Sequence, residues 1–160
     1  MIPRERETAH RGVDDLAQAE LESKRPTVET VSRFSRKANF RQQVLFAYGN
    51  RCSISRIQLK LVEAAHILPV GAPRSTDQVT NGIALSPTYH RAYDSGIIYL
   101  DEDYQMRLNL RKVSELEAVG HTGGLEEFRA PLGKILLPPD QNQWPRPEFI
   151  RLANKFRLIA

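Results

Sequence analysis

Two histidines and an asparagine stand at a spacing suited to hydrolytic chemistry. His66 is followed after fourteen residues by Asn81 and after eight more by His90, with Asp94 one helical turn further on. Hydrolysing a phosphodiester takes a base to remove a proton from water and a cation to neutralise charge developing on the phosphate. Histidine suits the first task because its ordinary titration lies at roughly pH 6.5. As neutral imidazole it suits the second, as a ligand for a divalent ion. The catalytic set is therefore read as His66, Asn81 and His90. His66 is suited to be the base and His90 the ligand. The Asn81 amide can bond loop backbone and hold the base in place. Asp94 shares a helix face with His90 and is the second expected ligand. Its carboxylate opposes the helix dipole, a small penalty that favours a functional role. The plainer alternatives are a hydrogen-bonded structural histidine at His66 and, at Asp94, a bond to the amides of Ser95 and Gly96.

These residues need elements to position them. Leu59 to Ile67 is apolar enough for a strand, and 68–80, with Pro69, Gly71, Pro73 and Asp77, reads as a loop. Asn81 to Leu85 is a second short strand. Ser86-Pro87 then starts a helix that Gly96 stops. Segments 97–100 and 105–110 form a hairpin about Asp101 to Tyr104. Upstream, Asn39 caps a helix with apolar positions Phe40, Val44, Leu45 and Tyr48, ending at Gly49. Residues 1–38 are a polar arm or linker, with a weak helical pattern through Val13, Leu16, Ala17 and Leu21 that stops at Pro26. Downstream come a short helix from Ser114 to Val119, an apolar run from Ile135 to Leu137, and a last helix from Pro147. That helix puts Phe149, Leu152, Ala153, Phe156 and Ile159 at core spacing. Trp144 is read as a packing anchor.

Taken with their neighbours, Ala65-His66-Ile67, Asn81-Gly82-Ile83-Ala84-Leu85 and His90 resemble the HNH (ββα-metal) nuclease motif. The wider pattern is similar to the restriction-endonuclease-like HNH subgroup. It comprises Phe40-Arg41, Val44-Leu45, Ala47-Tyr48, Cys52, Ala64-Ala65-His66-Ile67, Asn81-Gly82, His90 and Tyr93-Asp94-Ser95-Gly96. The resemblance covers about residues 39 to 110 and continues more loosely through Leu136-Leu137-Pro138 to the final helix. It implies an α+β fold: a ββα-metal core with flanking helices and an additional β-hairpin. The nuclease domain would span 39–160, with its motif core at 59–96. It also implies one divalent cation, Mg2+ first, with Mn2+, Ni2+ or Zn2+ as alternatives. His66 would activate water, Asn81 would be structural, and His90 would bind the metal. The products would carry 5′-phosphate and 3′-hydroxyl ends.

Two features depart from the family pattern. Many HNH sites place an Asp or His ligand directly before the base, where this chain has Ala65. Glu63 is set aside as a substitute, because in a regular strand it points away from the face carrying His66. The cysteine pairs that hold a structural zinc in some HNH proteins are also missing. Cys52 is the only cysteine among 160 residues, so an internal disulfide and a four-thiolate zinc site are excluded, and it reads as a small buried residue.

The length suits one domain with an arm. No apolar run is long enough for a membrane span, and the charged start does not read as a secretory signal, so a cytoplasmic location with no membrane partner is expected. Net charge is +4, and its distribution says more than its size. From Arg33 to Lys60 lie seven basic residues (Arg33, Arg36, Lys37, Arg41, Arg51, Arg56, Lys60) and no acidic one. A one-signed stretch suits a polyanion. DNA is the expected partner, contacted by Arg36, Lys37, Arg41 and Arg91. Arg151, Lys155 and Arg157 on the final helix are the fallback surface. No base-reading motif is visible, so specificity would lie in a separate domain or protein; a homodimer is compatible with the sequence. The alternatives to a DNA endonuclease in restriction or defence are a catalytically weakened DNA-binding module and an RNA-directed or toxin nuclease.

Overall fold

The structure is a computed structural model that describes residues 27–159. Of these, 27–35 fall in one compact unit and 36–159 in another, and one helix runs through the boundary. The weak helical pattern between Val13 and Leu21 lies outside the described residues.

Helix α1 runs from Val28 to Ala47. Its cap is Thr27, whose Oγ1 accepts from the Thr30 amide at 3.1 Å. Asn39 is interior and its side chain accepts instead from Gln43 Nε2, at 3.2 Å. The expected start at Asn39 is too late because the preceding turns hold no proline or glycine to stop the helix, while their apolar residues lack a regular stripe. The stop is as expected: Gly49 takes φ +62° and the Asn50 amide bonds back to Leu45.

Strand β1, Glu63–His66, pairs antiparallel with β2, Gly82–Leu85, placing Glu63 opposite Leu85 and His66 opposite Gly82. The strand expected from residue 59 is shorter because Leu59 and Lys60 adopt positive φ, which breaks extended backbone. Asn81 closes a 3₁₀ turn, Val79–Asn81, instead of beginning β2. Helix α2, Pro87–Asp94, enters from extended Ser86 with proline in its first turn and ends before Gly96 at φ +75°. These three elements form the ββα core.

Strands β3, Ile98–Leu100, and β4, Gln105–Leu108, form the additional hairpin, turned by Asp101 Oδ1 accepting from the amides of Asp103 and Gln105. A two-residue strand β5, Gly133–Lys134, pairs with β4 and makes the sheet three-stranded. Two residues carry no alternation, so β5 left no mark in the sequence. Helix α3, Leu110–Ala118, starts at the Asn109 cap, earlier than the expected Ser114. The short α4, Leu125–Arg129, was not foreseen, and α5 is Pro147–Phe156. The fold is α+β.

One core joins these elements, with Phe40 and Val44 of α1, Ala65 of β1, Ile83 and Leu85 of β2, Tyr93 of α2 and Ile98 of β3 all buried. Cys52 is buried in the same cluster. On α5 the buried residues are Phe149, Ile150 and Ala153, whereas Phe156 is 52% exposed. The stripe therefore runs Ile150, Ala153, Arg157, and an arginine takes a core-facing position. Gly82 marks where α1 crosses closest to the hairpin. A Cβ there would lie 2.3 Å from Val44 Cγ2 and 3.1 Å from Phe40 Cε2, so only glycine admits the helix.

Candidate active site

His66 ends β1 with its side chain 16% exposed. Its ring stacks on Phe40 of α1, centroids 3.9 Å apart and planes 12° from parallel. Its Nε2 is 2.9 Å from Asp77 Oδ1. An ionised carboxylate only accepts, so this bond places the proton on Nε2 and leaves the Nδ1 lone pair free in the neutral ring. Sequence reasoning saw Asp77 only as a loop residue. A single carboxylate in a turn-rich loop carries no periodicity to single it out.

Asn81 is fully buried. Its Oδ1 accepts from the Leu68 amide at 2.8 Å, and its Nδ2 donates to the carbonyls of Leu68 at 3.2 Å and Thr76 at 2.9 Å. It thus clasps the loop between β1 and β2, which carries Asp77. Asn81→Ala strands the buried Leu68 amide and removes the donor to the part-buried Thr76 carbonyl, while Ser75 Oγ still serves the Leu68 carbonyl. It should cost about 2 kcal/mol in urea unfolding, since an orphaned buried group costs about 1–3 kcal/mol. A loss below about 0.5 kcal/mol, the level of an unremarkable surface change, would show that the clasp does not hold the loop.

His90 projects from α2 with a carboxylate at each ring nitrogen. Nδ1 is 2.6 Å from Glu63 Oε2, and Nε2 is 3.3 Å from Asp94 Oδ2. Glu63 had been set aside because it points away from the His66 face. In the structure Glu63 meets His90 of α2, while His66 stacks on Phe40 of α1. Spacing along β1 alone carries no information about either partner.

Glu63, Thr88, His90, Arg91 and Asp94 border an open cavity of about 750 Å³. No hydrogen bond or ion pair joins His66 to His90 or Asp94 among the described residues. The end of β1 is instead tied to α2 through Tyr93, whose hydroxyl donates to the Ile67 carbonyl at 3.3 Å. Burial pushes the Tyr93 phenol up, with the nearby Arg157 guanidinium opposing, so the hydroxyl keeps its proton to donate.

Among the described residues, no three or more His, Cys, Asp or Glu side chains form a ready cage for an ion. The His90–Asp94 pair is nevertheless a fitting imidazole and carboxylate donor set. Its 3.3 Å separation is near that of adjacent ligands on an octahedral ion, which lie roughly 3 Å apart when the bonds are roughly 2.1 Å. Glu63 on the far ring nitrogen matches the carboxylate partner that orients a metal-binding histidine.

Arg36, Lys37 and Arg41 are exposed on α1 around Phe40, the residue that stacks on His66, and Arg91 is exposed at the cavity rim. Two other members of the basic stretch are tied to backbone: Arg51 donates to the Arg56 carbonyl and Arg56 to that of Ser53. On the final helix Arg151 pairs with Glu102, and the Arg157 side chain is turned inward with little of it exposed, which removes Arg157 from the fallback surface. Trp144 donates to the Pro138 carbonyl at 2.7 Å and meets Tyr104 edge-on, a packing role. No described helix is long and apolar enough to cross a membrane.

Residues 52–101 match the model of a family described as HNH endonuclease. Among solved structures, the chain is similar in fold to one described as a modification dependent TagI restriction endonuclease. The identity is 18% and the TM-score 0.50, over 74% of this chain and 37% of that one. The present chain thus spans well under half the length of that structure. No curated protein matches the chain.

Proposed function

Because the chain carries an HNH endonuclease domain over residues 52–101, we propose that it is a divalent-metal-dependent endonuclease that hydrolyses DNA, in restriction or another defence against foreign DNA. The observation that carries this reading is the His66 ring, clamped between Phe40 and Asp77 with Nδ1 left to act. His66 Nδ1 removes a proton from water, and the resulting hydroxide attacks phosphorus. The bond from phosphorus to the 3′ oxygen breaks, and that oxygen takes a proton from solvent. The ends are a 5′-phosphate and a 3′-hydroxyl. Asp77 keeps the Nε2 proton in place and fixes the ring. Asn81 keeps the Asp77 loop in register with β1. His90 Nε2 and Asp94 would hold the ion, with Glu63 orienting His90. A divalent ion bound there would neutralise charge developing on the phosphate.

The test is plasmid cleavage with Mg2+, Mn2+, Ni2+ or Zn2+ and after chelation, on methylated and unmethylated DNA, with single-stranded RNA alongside. Cleavage of DNA that chelation abolishes supports the reading. Activity confined to RNA, or unaffected by chelation, would overturn it. The same assay addresses modification dependence, which the description of the similar structure names for that protein.

Arg36, Lys37 and Arg41 flank Phe40 on the helix that covers His66, so a DNA backbone passing over them leads to the base. If they contact phosphates, the slope of log affinity against log salt follows the number neutralised, by about 0.9 per phosphate on duplex DNA. Changing all three to Ala should flatten the slope by up to about three units and spare the cleavage rate at saturating DNA. An unchanged slope and affinity, measured by fluorescence anisotropy, would move the contact elsewhere.

A further inference from the structure

We propose that Arg157, beyond the HNH-matched segment and at the C-terminal end of α5, is a positioning residue of the ion site, holding the Asp94 carboxylate so that Oδ2 stays turned to His90. The proposal rests on the reading of His90 and Asp94 as the ion's ligands. The Arg157 side chain is only 8% exposed. Its Nη1 donates to the Ile67 carbonyl at 3.0 Å, and its guanidinium lies 4.4 Å over the Tyr93 ring. Nη2 is 3.9 Å from Asp94 Oδ1, while Asp94 Oδ2 faces His90 Nε2 at 3.3 Å. Nε and Nη2 are buried and find no hydrogen-bond partner among the described residues.

Burying a guanidinium with two unpaired donors is costly, and an aliphatic side chain would fill this end of the α5 stripe more cheaply. Packing alone therefore does not account for arginine here. The rigid fork does two things that a leucine or methionine cannot. One arm holds the carbonyl of Ile67, the residue after His66. The other faces the outer oxygen of Asp94. The strand end bearing the base and the helix bearing the ligands thus meet at one planar cation. With Oδ1 drawn to Arg157, Asp94 keeps Oδ2 for the ion. Glu63 does the corresponding task for His90 from the other side.

The experiment is calorimetric titration of Mn2+ alone into the full chain, with melting curves to show that each protein is folded. Arg157→Met should raise the Mn2+ Kd 10- to 100-fold, the usual effect of losing a partner that orients a ligand. Arg157→Lys keeps a charge near Tyr93 but loses the fork, and should raise Kd by an intermediate factor. Ile150→Val, two turns earlier on the same helix, should lower the melting temperature without moving Kd. In an Asp94→Asn background, Arg157→Met should add nothing further. An unchanged Kd in Arg157→Met, with binding intact in the parent, overturns the positioning role and leaves the ion site standing. If Arg157→Met does not fold, an unchanged Kd in Arg157→Lys overturns it by the same comparison. A parent that takes up no Mn2+ overturns the ion site itself, and this proposal with it.

Discussion

His66→Ala should lower the DNA cleavage rate by about 100- to 10,000-fold, the contribution typical of a general base, while DNA affinity stays within a few-fold of the parent. The expectation follows from how the ring is held. Phe40 covers one face, and Asp77 engages Nε2 at 2.9 Å, so a single lone pair is presented. Substitution also removes the stacking on Phe40, so some stability should be lost and the comparison belongs at a temperature where both proteins are folded. Asp77→Asn separates base chemistry from packing, because an amide can either accept from Nε2 or, flipped, donate to it and stabilise the wrong tautomer. It should slow cleavage less than His66→Ala and leave the melting temperature nearly unchanged. Plasmid nicking by His66→Ala at the parental rate would remove His66 from the mechanism, whatever Asp77→Asn does.

His90→Ala should abolish measurable binding of Mg2+ or Mn2+ by calorimetry and reduce cleavage by at least the 10- to 100-fold expected for weakened metal sites. With Ala65 in the place where related sites carry a ligand, only Asp94 would remain on the chain. Glu63→Gln tests the orienting bond on Nδ1. A neutral amide can still accept from Nδ1–H, but it polarises the imidazole less than a carboxylate does. Ion affinity should fall about 10-fold, with full occupancy recovered at high metal. Unchanged affinity in His90→Ala would place the ion elsewhere and leave the His90–Glu63 contact a structural ion pair on the α2 face.

Much of the architecture was legible because its signals are local. Ser86-Pro87 announced α2, Gly49 and Gly96 announced two helix ends, and Asp101 announced the β3–β4 turn. Each acts through its own backbone and nearest neighbours. The HNH pattern was readable for the same reason, since the ββα core sits within a short stretch of chain. The misses have the opposite character. The first turns of α1 lacked an apolar stripe, β5 was too short to alternate, and Leu59 and Lys60 took positive φ that their residue types do not favour.

The sequence by itself singled out the candidates for the chemistry: His66, Asn81 and His90 at their spacing, Asp94 one turn beyond, and a basic run without carboxylates. The tertiary structure alone decided what those residues touch. Spacing along β1 does not say that His66 stacks on Phe40 of α1 while Glu63 meets His90 of α2. That depends on α1 packing onto Gly82, a contact between residues far apart in the chain. Asp77 reaches His66 because Asn81 folds back the loop between β1 and β2. Arg157 reaches Asp94 because the core stripe of α5 ends in an arginine facing Tyr93. Each of these pairings is set by long-range packing, where local propensity and spacing carry no information about the partner.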